Sequence, residues 1–300
     1  MELLLLGTAA GGGFPQWNCW CPTCRVARSE PHRARPRTQS SVAISSDGVH
    51  WFLLNASPDV HRQIAELTVA PPAGMRHVPI EGVVTTDAEL DHTLGIALLR
   101  EARQLQLFAS RAVVEVLTRD SRVLPVTQAF SDVTVTELPL EQPVPLRYRD
   151  GTPAGLTLTA FPVQGDPPRF ASQELPGHTV GLIIESATGR AAFVPGCGGL
   201  NPALLTRLGR ADLLLFDGTF WSDRELVDLG IATRTAREMD HLPISGPDGS
   251  LAALRQLPCR HRVYTHINNS NPILIEDSPE RRAVVEAGLV VGEDGMRWTV

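Results

Sequence analysis

The sequence contains no run of lysine and arginine residues and no long apolar segment. Its net charge is −6, and charged residues make up 20% of its 300 positions. Because no basic run is present to follow a phosphate backbone, we expect no nucleic acid partner. The N-terminal apolar segment has only four leucines, Leu3 to Leu6, and no basic residue precedes them. It is too short for a secretory signal or a membrane span, so we expect a buried first strand and no membrane association.

Cysteine is also scarce. Five cysteines are an odd number for a disulfide framework, and we expect a cytoplasmic protein. Three of them form the motif Cys19-x-Cys21-x-x-Cys24, which brings three thiolates within reach of one ion. Sulfur-rich ligation without an open position is typical of structural sites, so residues 19–24 are predicted to hold a structural zinc ion. Cys197 and Cys259 are isolated in the sequence and are predicted to be buried free thiols.

The pattern of strands and turns predicts an α+β sandwich in a single domain, residues 1–300. A hydrophobic content of 43% is sufficient for one large core in a chain of this length. The glycine-rich segment Gly7 to Gly13 does not match the dinucleotide-binding fingerprint, and no helix pattern follows it. Asp47-Gly48 predicts a β-hairpin, and the run AVVEVLT (112–118) predicts a strand. Strands precede helices without strict βαβ alternation, which favours the α+β class.

Acidic and histidine side chains follow predicted strands in four segments. These are Asp87-x-Glu89-x-Asp91-His92 after GVVTT, Asp217 at the end of LLLFD, Asp240-His241 in MDHLPISGPDG, and His266 at the end of VYTH. A single aspartate at a strand end is usually a helix cap or a turn residue. Four such segments in one chain predict a metal site. His178, at the start of another strand, is either a third ligand or a loop histidine.

Six stretches of the chain carry a resemblance to a known family. They are GTAAGGGFPQWNCWC, RTQSSVAISSDGVHWFLLNASPD, TDAELDH, FDGTFW, MDHLPISGPDGS and THINNSNPIL. Together they span nearly the whole length, and the chain resembles the metallo-β-lactamase superfamily, in particular a branch that acts in the synthesis of pyrroloquinoline quinone (PQQ). The resemblance implies an αββα sandwich with a metal site at one rim. It also implies a role between a precursor peptide and the quinone, with other PQQ-pathway proteins as candidate partners.

Carried over by motif, the resemblance assigns four residues to the active-site metal. Asp91, His92 and His266 fall at the second metal position of the superfamily, and Asp217 falls at the place of its bridging carboxylate. These four are the ligands that we expect.

The first metal position of the superfamily is impoverished in this sequence. It would need Asp87, Glu89 and a histidine near residue 175, where Leu175 stands instead. A second departure is Asp240, which precedes His241 where the family pattern has the glycine of M-G-H.

The resemblance also suggests a fourth ligand for the structural zinc ion. In a related phosphodiesterase of the carbon-phosphorus lyase pathway, a histidine three positions after the terminal metal histidine completes the cysteine trio. Here that position is Asn269, and an amide oxygen is a weak zinc ligand. His32, eight positions after Cys24, is the competing candidate.

The expected ligand set favours oxygen chemistry over hydrolysis. A dinuclear hydrolase needs two ions about 4 Å apart, and the loss of two imidazoles removes one of its sites. Two histidines with carboxylates and open positions form the ligand set of non-haem Fe(II) oxygen activation, although manganese or zinc are also accepted by such sites. With the substrate implied by the resemblance, our hypothesis is an iron-dependent hydroxylation of the tyrosine ring in a Glu-Tyr unit cut from the precursor peptide.

Further residues have candidate roles in this reaction. Asp87 and Glu89 are expected to position the substrate amine or to relay protons. Arg169 is either a partner for a substrate carboxylate or a solvated loop residue. Two alternatives stay open: a zinc or manganese hydrolase on the same pathway, and a carrier that binds finished PQQ without catalysis.

Overall fold

In the computed structural model, which describes residues 1–67 and 75–300, the strands form two sheets of seven. The first sheet contains, in spatial order, β14 (Arg297–Thr299), β1 (Glu2–Gly7), β2 (Ser41–Ser45), β3 (Trp51–Leu54), β4 (Ile80–Val84), β5 (Gln104–Ala109) and β6 (Asp132–Glu137). The second contains β13 (Val290–Val291), β12 (His261–Thr265), β11 (Leu213–Asp217), β10 (Arg190–Val194), β9 (Val180–Glu185), β8 (Pro153–Pro162) and β7 (Pro143–Arg147).

Short helices cover the outer faces of both sheets. They are α1 (Pro22–Ser29), α2 (Val60–Ile64), α3 (Leu90–Leu98), α4 (Arg111–Glu115), α5 (Val123–Gln128), α6 (Pro202–Leu208), α7 (Glu225–Asp228), α8 (Ser250–Leu254) and α9 (Pro279–Glu286). The side chains of α2 to α5 pack on the first sheet, and those of α6, α8 and α9 pack on the second. The layers therefore run helix, sheet, sheet, helix, and the predicted αββα sandwich is confirmed.

The leucine run at the N-terminus shows how the sequence produces this layering. Successive side chains of a strand point to opposite faces of its sheet. Leu3 and Leu5 belong to the core between the two sheets, whereas Leu4 and Leu6 pack under the helices of the first sheet. Both faces of β1 are thus covered, which explains why the run is apolar without alternation. The predicted buried first strand is confirmed.

Other local predictions have mixed outcomes. The hairpin at Asp47-Gly48 is confirmed, since β2 and β3 pair antiparallel and Gly48 has φ 79°. The strand predicted over 112–118 is wrong, because the segment forms α4 and a following π-helical turn, Val116–Asp120. Ser110 caps this helix by accepting a hydrogen bond from the Val113 amide, 3.2 Å away. Packing of its valines under the first sheet outweighs their preference for strands.

Candidate metal centre and substrate cavity

The site lies where strand ends from the two sheets meet at one rim. Strands β11 and β12 are parallel neighbours with Asp217 opposite Thr265, so His266, the residue that follows β12, lies near Asp217. From the first sheet, β4 ends at Val84, and the loop that follows leads into α3, whose first turn carries Asp91 and His92. His266 has φ 54°, an uncommon left-handed conformation for a residue with a side chain.

Asp91, His92 and His266 form one group of metal-ligand atoms, all within 4.8 Å of one another. The Asp91 Oδ2 atom lies 3.3 Å from His266 Nε2 and 3.7 Å from His92 Nε2. The two imidazole rings meet edge to face, with centroids 5.0 Å apart. The structure therefore brings together three of the four residues expected at the metal as one carboxylate and two imidazoles.

Asp87 contacts His92 on the side of the ring opposite Nε2. Its two oxygens lie 2.8 and 2.7 Å from His92 Nδ1, and they also accept hydrogen bonds from the Thr86 hydroxyl and the Glu89 amide. This arrangement places the ring proton of His92 on Nδ1. His92 Nε2 is buried and has no hydrogen-bond partner among the described residues.

His241 has a similar carboxylate partner in Asp217. Its Nδ1 atom lies 2.7 Å from Asp217 Oδ2, and its ring stacks on that of His266 with centroids 5.6 Å apart. Asp217 also accepts hydrogen bonds from the Cys197 amide and from the amide and hydroxyl of Thr219. Asp217, His241 and His266 form a second group of ligand atoms within 4.8 Å.

Thr219 orients the imidazole of His266. Its hydroxyl donates to Asp217 Oδ1 at 2.6 Å and lies 2.8 Å from His266 Nδ1. Since the hydroxyl proton goes to the carboxylate, its oxygen accepts from Nδ1–H of His266. The Nε2 atom of His266 lies 3.3 Å from Asp91 Oδ2; it donates to that carboxylate when it is protonated and can bind a cation when it is not. Hydrogen bonds of this kind fix the ring orientation and tautomer of metal-binding histidines.

The charges of these buried groups are strongly coupled. Burial opposes a charged imidazole, but the carboxylates of Asp87 and Asp91 outweigh it and raise the pKa of His92 to about 9. Burial also opposes the ionised form of Asp91, but attraction to His92 and His266 holds the pKa of Asp91 well below its usual range. Attraction between Asp217 and His241 lowers the pKa of Asp217 and raises that of His241, although burial opposes both changes.

A divalent cation fits this donor set. His92 Nε2 is a buried imidazole nitrogen that has no hydrogen-bond partner among the described residues, and it lies near a carboxylate and a second imidazole. Nitrogen and oxygen donors in this mixture suit iron, manganese or zinc. The residues that would hold the ion are Asp91, His92 and His266, with His241 and Asp217 beside them.

The remaining candidates occupy other positions. Glu89 is exposed to the cavity next to the metal group, and partial burial together with the charges of Asp87 and Asp91 raises its pKa to about 7. His178 does not belong to a metal group of the described residues, because its Nε2 atom accepts a hydrogen bond from the Leu175 amide, 3.0 Å away.

A cavity of about 630 Å³ opens over the metal group. Asp87, Glu89, Asp91 and the three imidazoles line its floor, and the loops 165–170 and 234–241 contribute walls. Arg169 lies in the first of these loops and Arg234 in the second. Asp240 adopts φ 58°, which explains why a glycine suits this position, and its Oδ2 accepts a hydrogen bond from the Asp166 amide.

The three cysteines of the N-terminal motif come together at the start of α1 as a third metal-ligand group. The side-chain nitrogen of Asn269 lies 3.3 Å from Cys24 Sγ and 3.7 Å from Cys21 Sγ. Nitrogen and oxygen of a side-chain amide are distinguished only by their contacts, so a rotation of this amide would present its oxygen to the same two sulfurs. His32 is exposed and is not a member of this group. Cys197 and Cys259 are confirmed as buried free thiols.

Comparisons with known proteins agree with this arrangement. Residues 50–267 match the model of the β-lactamase superfamily domain. Coenzyme PQQ synthesis protein B of Gluconacetobacter diazotrophicus is 42% identical, over 100% of this chain and 99% of its own. The protein of that name from Methylobacterium nodulans is also 42% identical, over 99% of both chains.

The chain belongs to the coenzyme PQQ synthesis protein B family. A crystal structure of zinc-bound PqqB from Methylobacterium extorquens superposes with a TM-score of 0.90 at 38% identity and full coverage of both chains. A diphosphatase of the PhnP family, with a TM-score of 0.68 at 21% identity and coverage of 100% and 97%, shares the fold. The zinc-bound relative and the three ligand groups support a metal cofactor for this member of the family. None of its described helices is long and apolar enough to cross a membrane.

His241 and Thr219 are functional candidates that the sequence-based assignment of ligands omitted. Asp240-His241 stood out as one of four acidic and histidine segments, but nothing in the sequence paired His241 with Asp217. Thr219 carried no signal beyond its place two residues after Asp217. Both become recognisable only through their contacts with the ligand groups.

Proposed function

We propose that this protein acts in PQQ synthesis as a metal-dependent hydroxylase of the tyrosine ring in a Glu-Tyr unit derived from the precursor peptide. Membership of the family supports the pathway, and the resemblance of the sequence supplies the substrate. In each hydroxylation a ring C–H bond becomes C–OH. One atom of O2 enters the ring, and the other leaves as water after an external reductant supplies two electrons and two protons enter.

The observation that carries the proposal is a group of one carboxylate and two imidazoles whose ligand atoms lie within reach of one ion. Asp91, His92 and His266 supply one carboxylate and two imidazoles, the set typical of non-haem iron oxygenases. A ferrous ion held there supplies one-electron oxygen chemistry that amino-acid side chains lack. Asp87, which would have to serve a second ion in a dinuclear hydrolase, has both oxygens engaged by His92.

The chain contributes orientation around this group. Asp87, Asp217 and Thr219 each contact the Nδ1 atom of one imidazole, which keeps the rings of His92, His241 and His266 in fixed positions. Such outer contacts raise ligand basicity and prevent the rings from rotating.

The cavity wall contributes proton transfer and substrate binding. Glu89 has a pKa of about 7, raised by burial and by its neighbouring carboxylates, so it exchanges a proton readily near neutral pH. Its carboxylate faces the cavity and accepts no hydrogen bond from any described residue, so it is suited to bind the substrate amine or to take up a proton. Arg169, also on the wall, is suited to a carboxylate of the substrate.

Assays of the purified, iron-loaded protein with the Glu-Tyr dipeptide and a reductant, with and without O2, test the proposal. We expect hydroxylated dipeptide only when oxygen is present, and none from His92→Ala or His266→Ala. Cleavage of the dipeptide without oxygen would instead identify a hydrolase. Tight binding of PQQ with no turnover of any kind would identify a carrier. Metal analysis of protein prepared without added ions establishes which ion it takes up.

A further inference from the structure

Arg234 differs from every other arginine in residues 1–67 and 75–300. Apart from it, each arginine that is buried or partly buried there has a hydrogen bond or an ion pair, as Arg207 has with Glu141 at 2.7 Å. Arg234 is partly buried and has neither. An ionised group that is partly removed from water without a partner raises the free energy of the folded state. An unpaired guanidinium group in a cavity wall therefore points to a partner that arrives with the ligand.

The location of Arg234 defines what that ligand contacts. It lies on the wall of the cavity above Asp91, His92 and His266, in the segment between α7 and His241. Arg169, on the loop after β8, lines the same cavity and has no hydrogen bond or ion pair among the described residues either. Two guanidinium groups from two separate loops therefore face one cavity whose floor is a cluster of carboxylates and imidazoles.

We propose that Arg234 binds one carboxylate of the substrate and that Arg169 binds another, so that the site selects a dicarboxylate. The planar guanidinium group forms paired hydrogen bonds with a carboxylate, which fixes orientation as well as position. The identity of the ligand rests on the proposed function: a Glu-Tyr unit carries one carboxylate on its glutamate side chain and one at its C-terminus. Held at both, its tyrosine ring has one defined approach to the metal group.

The test measures dipeptide binding at equilibrium to the zinc-loaded protein, which separates binding from turnover. Three ligands are titrated by calorimetry: Glu-Tyr, Gln-Tyr, which lacks the side-chain carboxylate, and Glu-tyrosinamide, which lacks the terminal one. The variants are Arg234→Gln, Arg234→Lys and Arg169→Gln. Arg260→Gln is the matched control, because Arg260 is exposed and precedes β12 at the end opposite His266.

We expect Arg234→Gln to weaken Glu-Tyr binding about tenfold to a hundredfold, the effect of losing a hydrogen-bonded charge pair. The same substitution should change the binding of one of the two amide ligands less than about threefold, because that ligand lacks the carboxylate Arg234 binds. Arg169→Gln should show the opposite dependence on the two amide ligands. Arg234→Lys keeps the charge but loses the paired geometry, so its loss should be intermediate, and Arg260→Gln should match the unmodified protein.

The possible failures are distinguishable. Unchanged Glu-Tyr affinity in Arg234→Gln, or an equal loss for all three ligands, overturns the role of Arg234 and leaves the proposed function standing. Loss of zinc from Arg234→Gln also overturns it, since the side chain would then be needed for the structure of the metal group. If Arg234→Gln does not fold, Arg234→Lys decides by the same comparison. No binding of Glu-Tyr to the unmodified protein overturns the proposed substrate together with the ligand assigned to Arg234.

Discussion

Replacing Asp87 with asparagine tests whether the outer contact of His92 sustains metal binding. The substitution preserves the shape of the side chain. Its oxygen can take the place of Oδ1, which accepts from the Glu89 amide at 3.0 Å and from His92 Nδ1 at 2.8 Å. Its nitrogen then takes the place of Oδ2, where the Thr86 hydroxyl can accept a hydrogen bond and where the contact of 2.7 Å with His92 Nδ1 must lengthen. The variant should therefore fold, and what it removes is the negative charge behind the imidazole.

Two opposing effects set the expected magnitude. A charged hydrogen bond contributes about 1.5–3 kcal/mol and a neutral one about 0.5–1.5, so the loss is roughly 1–1.5 kcal/mol, or about tenfold in metal affinity. Proton competition acts the other way. With a pKa of about 9, raised by Asp87 and Asp91 against burial, His92 must release a proton to bind metal below that pH. Removing Asp87 lowers this pKa and eases the competition, so the loss should shrink as the pH falls.

Competition with a zinc chelator at pH 7 and above pH 9 measures both effects. Above pH 9 we expect the full loss of about tenfold for Asp87→Asn and a larger loss, up to about a hundredfold, for Asp87→Ala. At pH 7 the Asp87→Asn loss should be smaller. Asp47→Asn is the matched control, because its Oδ2 atom also lies 2.7 Å from a histidine Nδ1, that of His50, but on an exposed hairpin. Zinc affinity within twofold of the unmodified protein at both pH values would refute a supporting role for Asp87.

Three further predictions concern stability and the zinc motif. Glu225 is buried, and burial raises its pKa to about 7, so the stability it confers is full below about pH 4.5 and is lost as the pH rises through 7. In the unmodified protein, denaturant titrations should therefore show the unfolding free energy falling by about 3 kcal/mol between about pH 4.5 and pH 7. Glu225→Gln should abolish this fall, and a variant with the same pH profile as the unmodified protein would contradict the prediction. Asn269→Ala should lower the zinc content of the purified protein and His32→Ala should not; loss with His32→Ala alone would exclude Asn269 as the ligand. Gly95→Ala should destabilise the protein by roughly 1–3 kcal/mol and so lower its melting temperature, because the added Cβ would clash with the Ser57 carbonyl oxygen; an unchanged melting temperature would refute this contact.

The fold was largely predictable because its signals are local and repeated. An apolar run such as Leu3 to Leu6 can be covered on both faces only inside a layered structure, and Asp47-Gly48 specifies its turn by backbone conformation alone. The segment 112–118 was not predictable in this way. Its β-branched residues favour a strand, and only the space beneath the first sheet, together with the cap at Ser110, makes it helical.

The sequence predicted which residues form the candidate site better than it predicted the role of each residue. Predicted strand ends pointed to the segments that contain Asp91, His92 and His266, and the resemblance to the superfamily assigned these three residues to the metal. Which oxygen or nitrogen of each side chain faces inward depends on contacts between distant segments, and the pairing of His241 with Asp217 is seen only in the structure. Sequence spacing contains no information about such pairings.

Carboxylates replace the first imidazoles of the superfamily motif in this site, and Asp87 makes a different contact from the one a histidine would make. A histidine at position 87 would offer a nitrogen to a second ion, whereas Asp87 directs both oxygens to His92. One exchange of residue type thus turns a ligand of one ion into a support for the ligand of its neighbour. The same relation holds between Asp217 and His241 on the second sheet. Asp87 and Asp217 thus each place a buried carboxylate behind one imidazole, and Asp91 Oδ2 lies near the Nε2 atoms of both His92 and His266, within reach of one cation.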